Sequence, residues 1–178
     1  MKTIYFVRHG ESESNINGLI SGAEDDVRLT PSGIAQAKKT GQDLKDKNIQ
    51  LIVCSPMIRA LETARCIAKE IGFKPEQIVT TALFIERSYG IYSGRPSDKF
   101  RNDYASGKVH KSVETEEQMY HRFKRALAWL SRLKEDRIVV VSHGGASRAI
   151  RVIKNDLHHS EMYKLDSFGN AEIYEFNL

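Results

Sequence analysis

Ile4-Tyr5-Phe6-Val7-Arg8-His9-Gly10 and Ile138-Val139-Val140-Val141-Ser142-His143-Gly144-Gly145 follow one plan: four apolar residues run straight into a histidine and a glycine. A continuous apolar run of this length, closed by a turn signal, reads as a strand covered on both faces, as in parallel sheets packed between helices. Leu51-Ile52-Val53-Cys54, followed by Ser55-Pro56, adds a third such run. Shorter strand candidates lie at residues 78–80 and 171–176.

Helical periods fill the intervals. Thr30-Pro31-Ser32-Gly33 supplies an N-cap and a proline for the first turn, and predicts a helix to about Lys47. Ser55-Pro56 repeats that grammar and opens a helix with Leu61, Ala64, Ile67 and Ala68 on one face, ended by Gly72. Residues 115–134 form a long amphipathic period with Met119, Phe123, Leu127 and Leu130 inward, and residues 144–154 a last helix. Strands alternating with helices predict an α/β fold, a three-layer α/β/α sandwich around a mostly parallel sheet. No repeat or linker divides the chain, so residues 1–178 read as one domain. Residues 87–113 lack a sustained period and are expected to be an irregular, functional lid.

Composition narrows the function classes. With 178 residues, 40% apolar and 28% charged, the chain has ordinary globular composition and can bury a proper core. No stretch is long and apolar enough for a bilayer, and charge follows the first apolar run at once, so a cytoplasmic location without membrane association is expected. The net charge of +4 favours anionic partners. The basic residues are dispersed, which speaks for small phosphorylated molecules and against nucleic acid. Cys54 and Cys66 form no CxxC pair and read as reduced, packed thiols. Oligomeric state is not legible.

Ligands in open α/β sheets sit beyond the carboxyl ends of the strands. Arg8-His9-Gly10, Ser55 to Arg59, and Ser142 to Gly145 all occupy such ends, so two histidines and two arginines converge on one crevice. Arg59 falls in the first turn of a helix and Gly144-Gly145 begins another, where free amides favour an anion. Arginine's planar fork matches phosphate oxygens. Phosphoryl transfer without a metal needs a nucleophile, charge stabilisation and an acid. His9 can attack through one ring nitrogen if the other is held by a hydrogen bond. Arg8, Arg59 and His143 can gather the charge, and Glu86, at a strand end before the irregular segment, can be the acid.

Val7-Arg8-His9-Gly10-Glu11-Ser12 with Asn15, Ser21 and Gly22, then Leu29-Thr30, Gly33 and Gln36-Ala37, resembles the histidine phosphatase (phosphoglycerate mutase-like) superfamily. Ser55-Pro56 with Arg59-Ala60 and Glu62-Thr63-Ala64, Glu86 with Tyr89-Gly90 and Gly94, and Ser142-His143-Gly144-Gly145 are similar to its later blocks, in family order. The resemblance implies the phosphoglycerate mutase-like sandwich with an antiparallel edge strand, and a phosphohistidine formed at His9. It implies that Arg8, Arg59 and His143 hold the phosphate, and that Glu86 protonates the leaving oxygen and then deprotonates water. Ser12, Asn15, Ser21, Gly22 and the Gly144 amide match pocket-lining positions, and Tyr89 matches a substrate-contacting one. No metal or cofactor is implied. Two departures, Ser93 in place of an acidic residue and Val113-Glu114-Thr115-Glu116 in place of Gly-Glu-Ser, fall in the substrate-facing half and leave the substrate open.

The expected activity is therefore a metal-independent phosphomonoesterase, a hydrolase acting on a small phosphorylated metabolite. Cofactor-dependent mutases carry a longer segment between acid and second histidine, which favours hydrolysis over mutase-type transfer here. A non-catalytic phosphate- or phosphoprotein-binding module would need only the arginines, whereas nucleophile and acid are both present. A cysteine-phosphatase loop from Cys54 to Arg59 is one residue too short and lacks glycine. His158-His159, His110 and His121 read as solvated surface. The basic residues Arg87, Arg95, Lys99, Arg101, Lys108 and Lys111 fit either a polyanionic substrate or a solvated loop.

Overall fold

The computed structural model describes residues 1–178. In chain order its elements are β1 (Thr3–Arg8), α1 (Glu13–Ile16), α2 (Pro31–Leu44), β2 (Leu51–Cys54), α3 (Ile58–Ile71), β3 (Val79–Thr80), α4 (Ser97–Ala105), α5 (Glu116–Ser131), β4 (Arg137–Ser142), α6 (Gly144–Lys154) and β5 (Ile173–Asn177). One five-stranded sheet has the order β3-β2-β4-β1-β5. Every pair in it is parallel except β1 with β5 at one edge.

Strand alternation splits the core into two layers. Ile4, Phe6, Val53, Ile138 and Val140 face Met119, Phe123 and Leu130 of α5 and Ala146, Ala149 and Ile150 of α6. Tyr5, Val7, Ile52, Cys54, Val139 and Val141 face Ala60, Ala64, Ile67 and Ala68 of α3. Both faces of the sheet are thus covered, and this explains why β1, β2 and β4 are apolar throughout rather than alternating. Cys54 belongs to this core, where burial pushes its thiol up to about 12, so it is no phosphatase nucleophile.

The sheet register decides where the chemistry sits. Arg8 pairs with Ser142, and Cys54 with Val141, so β1, β4 and β2 end side by side. The ladder continues past the strands, with the His9 amide donating to the Ser142 carbonyl (2.9 Å) and the Ser55 amide to that of Val141 (3.0 Å). Two histidines and one arginine are thereby set at one end of the sheet before any side-chain contact is considered.

Several local expectations differ from the structure. The helix after Ser55-Pro56 starts at Ile58 with Met57 as its N-cap, because Pro56 and Met57 extend the chain out of the sheet first. Glu86 does not end a strand: β3 spans two residues, and a single 3-10 turn, Ala82–Phe84, carries the chain to Glu86. The segment 87–113 is not irregular throughout, since it holds a 3-10 turn at Gly90–Tyr92 and the nine-residue α4. Its small core of Tyr92, Phe100 and Val113 gave too few apolar positions to register as a period. β5 begins at Ile173 because Ala171 adopts a left-handed conformation (φ 58°) before the strand.

The turn after β1 is held by backbone closeness. A Cβ on Gly10 would collide with the carbonyl of Gly33, and one on Gly33 with the backbone of Glu11, so these two glycines let α2 press directly against the turn. Gly33→Ala should therefore cost at least about 2 kcal/mol, as overpacking against unyielding backbone does. A urea midpoint unchanged from the parent would show that the turn can shift freely.

Candidate active site

His9 lies at the floor of a cavity of about 240 Å³ that Arg8, Arg59, Glu86 and Gly144 also line. Its ring is 4% exposed, and Nδ1 lies 2.7 Å from the carbonyl of Gly10. A carbonyl can only accept, so Nδ1 carries the proton and Nε2 keeps its lone pair. The turn is itself fixed, for the Gly10 amide donates to Thr63 Oγ1 (3.0 Å), whose hydroxyl donates to the carbonyl of Arg59 (2.8 Å). Burial above all, then the Arg59 and Arg8 cations, holds the His9 pKa well below the usual 6.5, against the opposing hydrogen bond to Gly10. A neutral imidazole with a free, fixed Nε2 can act as a nucleophile.

The two arginines spend part of their donor capacity on backbone. Arg59 donates from Nη1 to the Asp25 carbonyl (3.0 Å) and from Nη2 to that of Gly22 (2.8 Å), and is 1% exposed. Arg8 donates from Nη1 to the carbonyl of Phe168 (2.6 Å), while its buried Nε has no partner. Burial lowers the pKa of both, and Glu86 opposes that shift in each. Guanidinium groups fixed by carbonyls and aimed at one small cavity can take a phosphoryl group without rearrangement.

His143 lies behind His9 rather than on the cavity wall, with ring centroids 5.3 Å apart and an edge-on contact. Its Nε2 is 2.7 Å from Ser55 Oγ, and its buried Nδ1 has no partner. Burial first, then Arg59 and His9, depresses its pKa well below 6.5. Glu86 is placed by two amides: Arg87 N–H reaches one carboxyl oxygen at 2.7 Å and Gly145 N–H the other at 3.0 Å. The first turn of α6 is therefore shared, with Gly145 given to the carboxyl and Gly144 left on the cavity wall. A Cβ at position 145 would strike the Glu86 carboxyl and push it from its place.

Asn15, Ser21, Gly22 and Tyr89 join the wall. Ser12 does not: it is fully buried at the start of α1, with an unpartnered Oγ. Leu19, Ile20, Arg148 and Ser167 line the cavity without having been singled out for it, and so does Arg101, one of the basic residues left open between substrate contact and solvated loop. Arg148 had a readable signal, since it follows Gly144 by four residues and so shares its helix face. The two loops that close the site are sewn together. Ile20 and Gly94 exchange backbone bonds with Arg95 and Ile20, and the Glu24 carboxylate accepts from Ser88 Oγ, Ser93 Oγ and the amides of Tyr89 and Gly90. These donors lower the Glu24 pKa despite the opposing effect of partial burial. Ser93, a departure in the sequence pattern, is thus a donor to a carboxylate that an acidic residue would repel. No three His, Cys, Asp or Glu side chains converge as a metal-binding group.

The description of the histidine phosphatase superfamily (branch 1) matches residues 4–178. The chain belongs to that superfamily. It is 31% identical to a 2,3-bisphosphoglycerate-dependent phosphoglycerate mutase of Thermoplasma acidophilum, over 97% of this chain and 86% of the relative. It is also 31% identical to the uncharacterized phosphatase PhoE of Bacillus subtilis, over 84% of this chain and 76% of the relative. Among solved structures, a phosphoserine phosphatase of Entamoeba histolytica in complex with 3-phosphoglyceric acid superposes with a TM-score of 0.83 at 27% identity, covering 99% of this chain and 90% of that one. Membership places the chain among phosphatases and phosphoglycerate mutases of this fold.

Two buried imidazoles with depressed pKa values set a pH dependence. The native chain excludes protons that the unfolded chain binds below about pH 6.5, so their contribution is present above that pH and lost as pH falls below it. Each should cost about 1.4 kcal/mol per pH unit from 6.5 down to its native pKa. Urea midpoints measured from pH 7.5 to 5.0 should fall more steeply for the parent than for His143→Gln. Equal slopes would mean that His143 titrates normally in the fold.

Proposed function

We propose that the chain is a phosphomonoesterase that works through a phosphohistidine at His9. The observation that carries this reading is the Nδ1–Gly10 hydrogen bond, which leaves Nε2 as the one free nitrogen of a neutral imidazole at the floor of a doubly cationic cavity. In the first step the Nε2 lone pair forms the N–P bond as the P–O bond to the leaving group breaks, and a proton passes from Glu86 to the leaving oxygen. In the second, water forms the new O–P bond, the N–P bond breaks, and Glu86 takes the water's proton. Arg8 and Arg59 hold the equatorial oxygens throughout. His143, behind His9 with an unpartnered Nδ1, can add positive charge to the floor of the cavity, because an arriving dianion favours its protonation against the burial that otherwise keeps it neutral. Every group is supplied by the chain, so no metal enters the reaction as written.

Hydrolysis is favoured over mutase-type transfer by the short span between Glu86 and His143, which encloses the cavity less fully and leaves the phosphohistidine open to water. Orthophosphate release from an aryl phosphate should be unaffected by added 2,3-bisphosphoglycerate; a strict requirement for it would assign the mutase reaction instead.

Incubation with a radiolabelled phosphomonoester should leave an acid-labile, alkali-stable label on the parent and none on His9→Ala. Glu86→Gln should cut kcat by about 10²- to 10³-fold with alkyl phosphates and by less than about tenfold with nitrophenyl phosphate, whose leaving group needs little protonation. Label persisting in His9→Ala would remove the nucleophile, and equal losses on both ester types would remove Glu86 from the acid role.

A further inference from the structure

Beyond the phosphate cavity lies a second one of about 370 Å³, walled by Tyr89, Phe100, Tyr104 and Tyr163 and bordered by Arg101 and Arg148. Tyr89, Arg101 and Arg148 line both cavities, so the two communicate. The rings form one continuous wall: Tyr89 meets Phe100 at 5.0 Å, Phe100 meets Tyr104 at 5.8 Å, and Tyr104 meets Tyr163 at 4.8 Å between centroids. The Tyr89 and Tyr163 hydroxyls are bonded to each other at 2.8 Å, so the polar ends of both rings are already matched.

The two arginines differ from the other basic residues around them. Arg148 donates from Nε to the Leu165 carbonyl (2.9 Å) and lies 5.4 Å above the Tyr163 ring, and its two terminal nitrogens have no protein partner. Arg101 has only Asp98 near it, at 3.8 Å on the exposed face of α4. By contrast Arg87 is buried and bonded to the Glu114 carbonyl and to Glu116, and Lys99 pairs with Asp103. Of the basic residues between 87 and 113, Arg101 is the one that lines these cavities.

Size and chemistry then select the occupant. A cavity of roughly 150 Å³ takes a benzene ring, so about 370 Å³ holds a ring with a substituent and is poorly filled by a three-carbon unit. Aromatic walls favour a flat apolar body, and free guanidinium nitrogens at the border favour a carboxylate or phosphate. We propose that this annex receives the leaving group of the phosphomonoester, and that the leaving group is a planar ring bearing an anionic substituent clamped by Arg148 and Arg101. The assignment rests on the reading of His9 as nucleophile, and it names the substrate class of that same site.

The test compares kcat/KM for phenyl phosphate, 4-carboxyphenyl phosphate, 3-phosphoglycerate and glycerol 3-phosphate. The parent should prefer 4-carboxyphenyl over phenyl phosphate by at least tenfold, chiefly through KM. It should also prefer it over both three-carbon esters. In Arg148→Met the carboxyphenyl-to-phenyl ratio should fall to within threefold, and in Arg148→Lys to an intermediate value. Arg101→Met, on an exposed position that folding does not need, should lower the same ratio. Within each ester pair the leaving-group acidity is common to parent and variants, so a change in ratio reports the clamp alone. A parent ratio near one, a ratio unmoved in both Met variants, or a tenfold preference for 3-phosphoglycerate over 4-carboxyphenyl phosphate would overturn the annex assignment while hydrolysis of phenyl phosphate upheld the catalytic reading. No turnover of phenyl phosphate together with no phosphoprotein would overturn both.

Discussion

Four groups that favour charge or hydration, the guanidiniums of Arg8 and Arg59 and the imidazoles of His9 and His143, are gathered around one small cavity, all but the half-buried Arg8 held out of water, with Glu86 on the cavity wall and Asp26 4.0 Å from Arg59. Removing cations from water is costly unless they are paired and hydrogen-bonded. Nothing in the protein neutralises this set fully. Backbone carbonyls of Gly22, Asp25 and Phe168 take up part of the donor capacity, and both imidazoles shed their protons. A dianion is the kind of ligand that would offset the remaining mismatch, which supports the proposed reading of the cavity as a phosphate site. The preorganised field is built during folding and needs no reorganisation when the phosphoryl group arrives.

The rest of the architecture serves that arrangement. Parallel pairing of β1, β4 and β2 brings their ends level, and the Gly10–Gly33 approach fixes the turn that carries His9. Helix α3 supplies both Arg59 and, through Thr63, the anchor for the Gly10 amide. Helix α6 begins where His143 ends and divides its first amides between Glu86 and the cavity. Each link is a backbone bond or a buried side-chain bond to backbone, which is why the placement is rigid.

That same feature explains how much could be read from residues alone. Arg8, His9, Arg59 and His143 lie at or shortly after strand ends, so a correct reading of three apolar runs places them together without knowledge of side-chain contacts. The helices α3 and α5 were legible from their apolar periods, and α2 from its Thr30-Pro31 start. Glu86 was named as the acid, but its placement by the Arg87 and Gly145 amides depends on a 3-10 turn that carries no periodic signal. Ser12 shows the opposite error: it sits inside a family-like motif, yet the bridge to Leu29 turns its region into packing rather than cavity wall.

Helix α4 marks where reading by hydrophobic pattern stops working. Ser97, Phe100, Arg101 and Tyr104 recur at helical spacing and line the second cavity, and half of that stripe is polar, so the small core that Phe100 shares with Tyr92 and Val113 leaves no full apolar period. The loop from Ser21 to Asp26 joins this half of the site to the other: its carbonyls hold Arg59, and the Glu24 carboxylate holds the turn that presents Tyr89. That junction is made by a carboxylate, two serines and backbone bonds, the Ala23 amide donating to the Arg87 carbonyl (3.1 Å) among them. The walls around His9 are held mainly by bonds to backbone and those around Tyr89 in larger part by bonds between side chains, so the two halves of the site are fixed by different means.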